Sequence, residues 1–320
     1  MNAAVVHAFD APPRYTSFAE PVAGENEVIV AVRAAGLHQI VKALARGTHY
    51  GSTGVLPLVP GVDGVGYLPD GSRVYFGASR SPYGTFAERS VTARSMCLPI
   101  PEALDDVAVA AMVNPGMSSW VALTARAEFA AGEHILILGA TGVAGQLAVQ
   151  VAKRLGAGRV VAAGRNPEAL EELKRLGADA VISPTMDREA LVSAFRRELA
   201  DEKVDVVLDY LWGSPAERVL EAISQKGLQR ATARIRFVQV GSSAGPVISL
   251  PAATLRSSGL ELMGSGFGSV SMTKIFQSLA DFLREAARKP FEMKTRTVPL
   301  QEVAAHWDDA EQGTRLVFRP

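Results

Sequence analysis

The sequence predicts an α/β protein in which a β-rich first third precedes a doubly wound parallel sheet. Three observations carry this prediction. A continuous apolar run, Ile135 to Leu138, leads into glycines at three-residue intervals, Gly139, Gly142 and Gly145, as a buried parallel strand entering a tight turn would. From about Pro115 onward, strand-like and helix-like patterns alternate. Before that point, short strand-like segments are separated by Pro and Gly turns such as Pro69-Asp70-Gly71.

Taken in order, strands are expected near Ala3 to Ala8, Glu27 to Ala34, Gly64 to Leu68, Arg73 to Phe76 and Thr85 to Ser90, with one helix from Gln39 to Arg46. The middle opens with the strand before Gly139. Leu147, Val151 and Leu155 then recur at helical spacing until Gly156 and Gly158 stop the helix and release a strand from Arg159 to Ala163. Further strands follow at Ala180 to Ser183, Val204 to Tyr210, Arg236 to Val240 and Leu260 to Met263, with helices at Arg188 to Leu199 and near Pro215 to Ser224. The tail reads as a helix, Ile275 to Ala287, an extended Met293 to Val298, a short helix from Gln301 and a closing strand, Arg315 to Phe318.

Composition narrows the function classes. At 320 residues the chain exceeds one ordinary core and fits two domains. Lys plus Arg number 33 and Asp plus Glu 33, so the basic excess that a nucleic-acid partner would attract is missing. Cys97, the single cysteine, excludes an intrachain disulfide framework and fits a reducing compartment. Met1 to His7 lacks the basic-then-apolar pattern of a signal peptide, and the most apolar long run, Ile135 to Ala152, is the strand, turn and helix already described. A soluble, cytoplasmic protein with no membrane partner is expected.

The glycine-rich turn carries the chemistry. Glycines there allow a tight turn, close approach of the backbone to a pyrophosphate, and close packing of helix on strand. The helix N-terminus turns amide groups and a positive dipole end toward the phosphates. Gly139, Ala140, Thr141, Gly142, Val143, Ala144 and Gly145 are therefore candidate cofactor contacts. At the end of the next strand an NAD enzyme places an acid on the ribose 2′-hydroxyl, but this chain has Gly164, Arg165 and Asn166 and no acid before Glu168. An arginine there can pair a 2′-phosphate bidentately, which points to NADPH. The competing reading makes Arg165 a solvated residue at a strand exit.

Several ordered motifs extend the pattern over nearly the whole chain: Ala35-Gly36-Leu37, Pro60-Gly61-Val62-Asp63-Gly64-Val65, Gly71-Ser72-Arg73-Val74, Gly84-Thr85-Phe86-Ala87-Glu88, the Gly139 to Gly145 turn, Leu176-Gly177-Ala178-Asp179, Asp209 to Gly213, Val240-Gly241-Ser242 and Gly313-Thr314-Arg315-Leu316-Val317. On these the sequence resembles the medium-chain dehydrogenase/reductase superfamily, in its zinc-free, quinone-oxidoreductase-like branch. The resemblance implies a GroES-like catalytic domain from residues 1–114, completed by 288–320, and a Rossmann NADP-binding domain from 115–287, with an active-site cleft where they meet. It also implies a homodimer joined near Leu260 to Gly268. It places Asn114 and Ser118 near the nicotinamide and phosphates. By the strand-end logic of doubly wound sheets, Leu211 and Trp212 lie near the ribose, Gly241, Ser242 and Ser243 near the carboxamide, and Gly264 to Gly268, including Phe267, form a second backbone edge.

The departures from the family pattern bear on mechanism. Zinc-dependent relatives carry a Cys and a His-Glu pair where this chain has His38, Val62 and Asp63, and Asn114-Pro115 stands near the third ligand position. Catalytic zinc needs three protein ligands, so no metal is expected. The segment between Val74 and Gly84 is also too short for a structural zinc lobe, and the connection from Gly66 to Gly71 is short. Zinc-free relatives line the cleft with an Asn and an Asp at positions that are His38 and Val41 here. Polar candidates then become His38, Gln39, Lys42, His49 and Tyr50, with His38 and Tyr50 foremost as catalytic residues. Lys42 also reads as a solvated helix position, and Tyr50 as a loop aromatic beside Leu56. Trp120 and Trp307 read as packing residues and Cys97 as a small buried one. The chemistry implied is hydride delivery from NADPH to a quinone or α,β-unsaturated carbonyl, with a side-chain donor or solvent supplying the proton. Alcohol dehydrogenase or enoyl thioester reductase activity, or NADPH binding without turnover, remain alternatives, because a fold does not establish a function.

Overall fold

The computed structural model describes residues 1–200, 203–224, 233–309 and 313–320. The chain divides into two units, Met1–Pro115 with Leu279–Pro320, and Gly116–Ser278.

The first unit holds β1 (Asn2–Val5), β2 (Arg14–Ser17), β3 (Glu27–Gly36), α1 (Gln39–Ala45), β4 (Asp63–Tyr67), β5 (Arg73–Gly77), β6 (Arg89–Ala93) and β7 (Cys97–Pro99). α2 (Asp106–Val121) follows and crosses the unit boundary after Pro115. The second unit contains β8 (His134–Leu138), α3 (Val143–Arg154), β9 (Arg159–Ala163), α4 (Pro167–Arg175), β10 (Ala180–Ile182), α5 (Arg188–Ala200), β11 (Val206–Asp209), α6 (Gly213–Ile223), β12 (Arg234–Gln239), α7 (Ala252–Arg256) and β13 (Gly259–Gly264). α8 (Met272–Arg288) returns to the first unit, which ends with β14 (Lys294–Pro299), α9 (Val303–His306) and β15 (Thr314–Arg319).

The second unit is built on a parallel sheet in the order β10-β9-β8-β11-β12-β13, the doubly wound order with its switch point between β8 and β11. β8, with Ile135 to Leu138, is buried on both faces, which is why its sequence is continuously apolar rather than alternating. α3 presents Val143, Leu147 and Val151 to the core at helical spacing, all of them buried, each contributing at most about 1.5–3 kcal/mol.

The first unit's sheet runs β14-β15-β3-β4-β5-β7, with β6 also paired to β3. The C-terminal strands thus complete a sheet begun by the N-terminal third: β15 lies antiparallel to β3 through Val317 and Phe318. Its core gathers Phe86, Trp307 and Phe318, with Trp307 edge-on to Phe86 at 6.2 Å.

The predicted α/β class is the one observed, with corrections to particular elements. The sequence pattern does not predict α2, nor β2, β7, α4 or α7. α2 mixes Asn114, Ser118 and Ser119 among its apolar residues without segregating them to one face, so it carries no amphipathic stripe. The helical stretch 106–126 is long and apolar enough to cross a membrane, yet 67% of its apolar window is buried inside the protein, as in a core helix. The strand expected at Thr85 to Ser90 lies later, at Arg89–Ala93, where it pairs with β3; the backbone of Phe86 and Glu88 is engaged instead by Ala4, Pro60 and Asn2. Cys97 is half-buried, not buried, and Lys42 is buried, not solvated, its ammonium 3.3 Å from the Asp309 carbonyl.

Trp307→Ala should leave a cavity beside Phe86 and lower unfolding stability by about 3–5 kcal/mol, read from urea denaturation. A loss below about 1 kcal/mol would show that the core does not depend on this ring.

Candidate functional site

At the carboxyl end of β8 the chain turns through Gly139, whose φ of +81° favours glycine. The amides of Gly139 and Ala140 both donate to the Ala163 carbonyl, at 3.0 and 2.9 Å, fastening the turn to the end of β9. A Cβ on Gly145 would lie 2.4 Å from the Gly139 carbonyl oxygen and 2.5 Å from the Ala140 Cα, so α3 can seat on β8 only with glycine there. Gly142 is the N-cap of α3 and offers no side-chain cap; the first-turn amides of Val143, Ala144 and Gly145 are left for an external acceptor. A Cβ at Gly142 would meet a single neighbour, the Gly139 carbonyl oxygen at 3.6 Å, so the outer side of the turn is open backbone.

The neighbouring strand ends are tied to one another. The Asp209 carboxylate accepts from the Leu211 amide at 2.8 Å and the Trp212 amide at 3.1 Å, holding Trp212 at φ 55° and ψ −160°, a conformation favourable to glycine. Burial pushes the Asp209 carboxyl up to about 6 against those two hydrogen bonds. Its carbonyl accepts from Val240 and Gly241, that of Tyr210 from Ser243, and that of Leu211 from Ala244. The Tyr210 and Ser118 hydroxyls lie 3.0 Å apart. The structure therefore gathers the 139–145 turn, Ser118, Leu211, Trp212 and 241–243 around the ends of β8, β11 and β12.

Arg165 follows Gly164 at the exit from β9 and is exposed. The Asn166 side-chain oxygen accepts from the Ala169 amide at 3.1 Å as the cap of α4, so that oxygen is committed to the helix. Phe267 sits on the turn after the edge strand β13, with its ring exposed.

The first unit holds a second cluster. His38 is the N-cap of α1 and is 2% exposed, and neither ring nitrogen has a hydrogen-bond partner. Its Nε2 lies 3.6 Å from the Asp63 Oδ1, beyond hydrogen-bond distance. Asp63 opens β4 and is buried; its Oδ2 accepts from the Tyr75 hydroxyl at 2.9 Å and its Oδ1 from the Asn114 amide at 3.3 Å. Arg315 donates to the Leu37 carbonyl at 2.6 Å. A Cβ on Gly36 would lie 2.4 Å from the Ala110 carbonyl oxygen and 2.7 Å from the His38 ring, so the imidazole packs where only glycine leaves room.

Burial, and secondarily the Arg315 charge, hold His38 well below the usual imidazole range, only partly offset by the nearby Ala110 carbonyl, which lies outside good hydrogen-bond geometry. Burial pushes the Asp63 carboxyl up to about 7, although the Tyr75 hydrogen bond, the Arg315 charge and Asn114 all act to lower it. Burial, with the Asp63 charge, also drives the Tyr75 phenol well above its ordinary value. The cluster thus combines a neutral imidazole with a carboxyl that is about half protonated at neutral pH.

The two residues expected to be catalytic occupy different environments. His38 is in this cluster, whereas Tyr50 is 74% exposed, its ring tilted 31° against that of His49 with centroids 4.1 Å apart, so it is not a packed loop aromatic. Asn114, expected at the cofactor, reaches Asp63. The sequence pattern does not single out Asp63, Tyr75, Asp209 or Tyr210 as site residues. The available signal for Asp63 is a carboxylate directly preceding the small and apolar Gly64 and Val65 of a strand. Among the described residues no group of three or more His, Cys, Asp or Glu could hold a metal ion. Val62 has no donor atom, so His38 and Asp63 alone do not fit a catalytic zinc.

Residues 143–285 match the family described as zinc-binding dehydrogenase. The chain is 29% identical, over 364 aligned positions covering 100% of both chains, to a probable NADPH-dependent quinone reductase of Emericella nidulans. It is 28% identical to the quinone oxidoreductase of Sus scrofa over 82% of this chain and 78% of that one. The quinone oxidoreductase of Thermus thermophilus, solved also in complex with NADPH, superposes with a TM-score of 0.80 at 26% identity over 100% of each chain.

Asp63 also sets a stability profile. Its folded-state value of about 7 lies above the ordinary 3.8, so the fold favours the protonated form. That contribution is fully present below pH 3.8 and is lost as pH rises through about 7. Asp63→Asn should therefore lose less melting temperature than the wild type between pH 6 and pH 9, as read by calorimetry. Parallel profiles would mean that Asp63 ionises freely in the fold.

Proposed function

Because the chain belongs to the medium-chain dehydrogenase/reductase superfamily and is quinone-oxidoreductase-like, we propose that it is a zinc-independent, NADPH-dependent reductase transferring hydride to a quinone or an α,β-unsaturated carbonyl compound. The observation that carries this reading is the open glycine turn at the N-terminus of α3, followed at the exit of β9 by Arg165 with no acid before Glu168. Residues 115–287 hold the cofactor, and 1–114 with 288–320 supply the catalytic groups.

Each group has a role on this reading. The amides of Val143, Ala144 and Gly145 receive the pyrophosphate, and Arg165 pairs the 2′-phosphate. Leu211 and Trp212 border the ribose, and the backbone of Gly241, Ser242 and Ser243 meets the carboxamide, with Ser118 steadied by Tyr210. Bound NADPH supplies the hydride. Hydride addition at the conjugated carbon would place an electron pair on the acceptor oxygen, toward which His38 would present a ring N–H. Such acceptors are electrophilic enough for a hydrogen-bond donor to serve where a simple ketone needs a Lewis acid. Tyr50 offers an exposed aromatic face to a planar acceptor. The protein acts as a cytoplasmic homodimer paired along β13, an edge strand with Leu262 exposed.

The test is initial-rate oxidation of NADPH and NADH against small quinones and enones, with and without a chelator. Turnover should favour NADPH and resist the chelator, and Arg165→Ala should reduce the NADPH preference roughly 10- to 100-fold. An unchanged preference would remove Arg165 as the phosphate reader, and chelator-sensitive loss would overturn the zinc-independent reading. NADPH binding without any turnover would mark a non-catalytic role. Sedimentation should give twice the mass of the chain.

A further inference from the structure

We propose that Asp63 is a positioning residue that holds the reaction's proton behind His38 and passes it to that imidazole as the acceptor is reduced. The inference rests on the proposed reductase reading and deepens it, since that reading leaves open where the proton on His38 comes from.

Three independent features of the first unit converge on the pair. Both nitrogens of a 2% exposed imidazole lack partners, and an unsatisfied buried polar group marks a place where a ligand or a reaction supplies the missing partner. One of those nitrogens, Nε2, faces a carboxyl oxygen at 3.6 Å, a separation that a small closure brings to hydrogen-bond length. Such contacts are often long before substrate binds and tighten in the loaded enzyme. The carboxyl itself is held in place: Tyr75 and Asn114 each engage one oxygen, and the Thr85 hydroxyl fixes the Asp63 carbonyl at 2.8 Å. Glycine at position 36 is what allows the imidazole to lie over the end of β3.

The protonation states fit a relay. A neutral imidazole carries one N–H and one lone pair, so it can give a proton from one nitrogen while taking one at the other. As the acceptor oxygen gains its electron pair, the His38 Nδ1–H bond breaks and that proton moves to the oxygen. Nε2 accepts the Asp63 proton, leaving a carboxylate beside an Nε2–H imidazole; once the product has left, water protonates Nδ1 and the Nε2 proton returns to Asp63, which resets both groups. One hydride from NADPH and one proton from solvent are consumed per acceptor reduced. The titratable and charged groups that act on Asp63 among the described residues are His38 before α1, Tyr75 on β5 and Arg315 on β15. Tyr75 and Arg315 keep their protons throughout, so the relay's pH dependence belongs to the Asp63 and His38 pair. Since coupled groups titrate as a pair, the assignment to Asp63 needs its own readout.

Two measurements supply it. The first is the pH profile of acceptor reduction at saturating NADPH for wild type, Asp63→Asn and Asp63→Glu. The wild-type rate should fall on an alkaline limb near pH 7. Asp63→Asn should lose that limb and run at least tenfold slower at pH 6 with NADPH affinity changed less than twofold, while Asp63→Glu should restore a limb. The second is infrared spectroscopy of the cofactor-free protein, which should show a protonated carboxyl band at pH 6 that disappears near pH 7 and is missing in Asp63→Asn. An unchanged alkaline limb in an active Asp63→Asn enzyme overturns the relay alone, as does a missing carboxyl band, which is readable whether or not the variant turns over. A wild-type protein that binds NADPH but reduces none of the acceptors overturns the reductase reading, and the relay with it.

Discussion

How closely α3 can approach β8 decides what the second unit can bind. With Gly145 against the Gly139 carbonyl, the helix axis points its free amides across the turn that leaves β8, and the turn itself is pinned to β9 by two hydrogen bonds to Ala163. Any side chain at position 145 would push the helix off the strand and move those amides away from the turn. The strand ends beyond β8 are organised around the same point. Asp209, Tyr210 and Leu211 each use their carbonyls to hold the loop after β12, so the site is a property of linked backbone, little of which depends on side-chain identity.

Two buried aspartates show how the same group takes different roles. Asp209 faces backbone amides of its own turn, and the cost of its burial goes with holding Trp212 in a glycine-type conformation, of order 1–3 kcal/mol in strain. Asp63 faces side chains brought from other elements, Tyr75 and Asn114, and an imidazole that does not reach it. The first arrangement fixes a loop. The second leaves a proton poorly committed to any one group, which is the condition for moving it.

Sequence patterns reveal what backbone geometry dictates and conceal what tertiary assembly creates. The Gly139 to Gly145 turn is legible because only glycine tolerates its φ and its contacts, and the buried strands of the parallel sheet are legible because burial on both faces makes them continuously apolar. α2 escapes because Pro115 falls inside it and its apolar residues form no stripe. α4 escapes although Asn166 and Pro167 make an ordinary N-cap and first turn, because Gly164, Arg165 and Asn166 read first as a strand end facing a cofactor. β2 and β7 are short strands, of 4 and 3 residues, whose pairing is decided by partners distant in sequence. In the first unit, His38 stands out by its departure from a motif. Asp63 shows in the sequence as an absent zinc ligand and as a carboxylate at the start of a strand, and neither signal indicates that β4 will carry its carboxyl toward the N-cap of α1.

The charges around His38 restrict what it can contribute. Arg315 is buried beside it and donates to the neighbouring Leu37 carbonyl, and this fixed positive charge together with burial opposes a second cation on the imidazole. A histidine so placed does not stand as an imidazolium; in the proposed relay it donates an N–H and is resupplied from its other nitrogen as the proton leaves. Solvent reaches that nitrogen poorly in a side chain so fully buried, and the carboxyl 3.6 Å from it is Asp63. The same desolvation that denies His38 a charge raises Asp63 into the neutral range, so one physical cause both empties the imidazole of its extra proton and stores a proton on its neighbour.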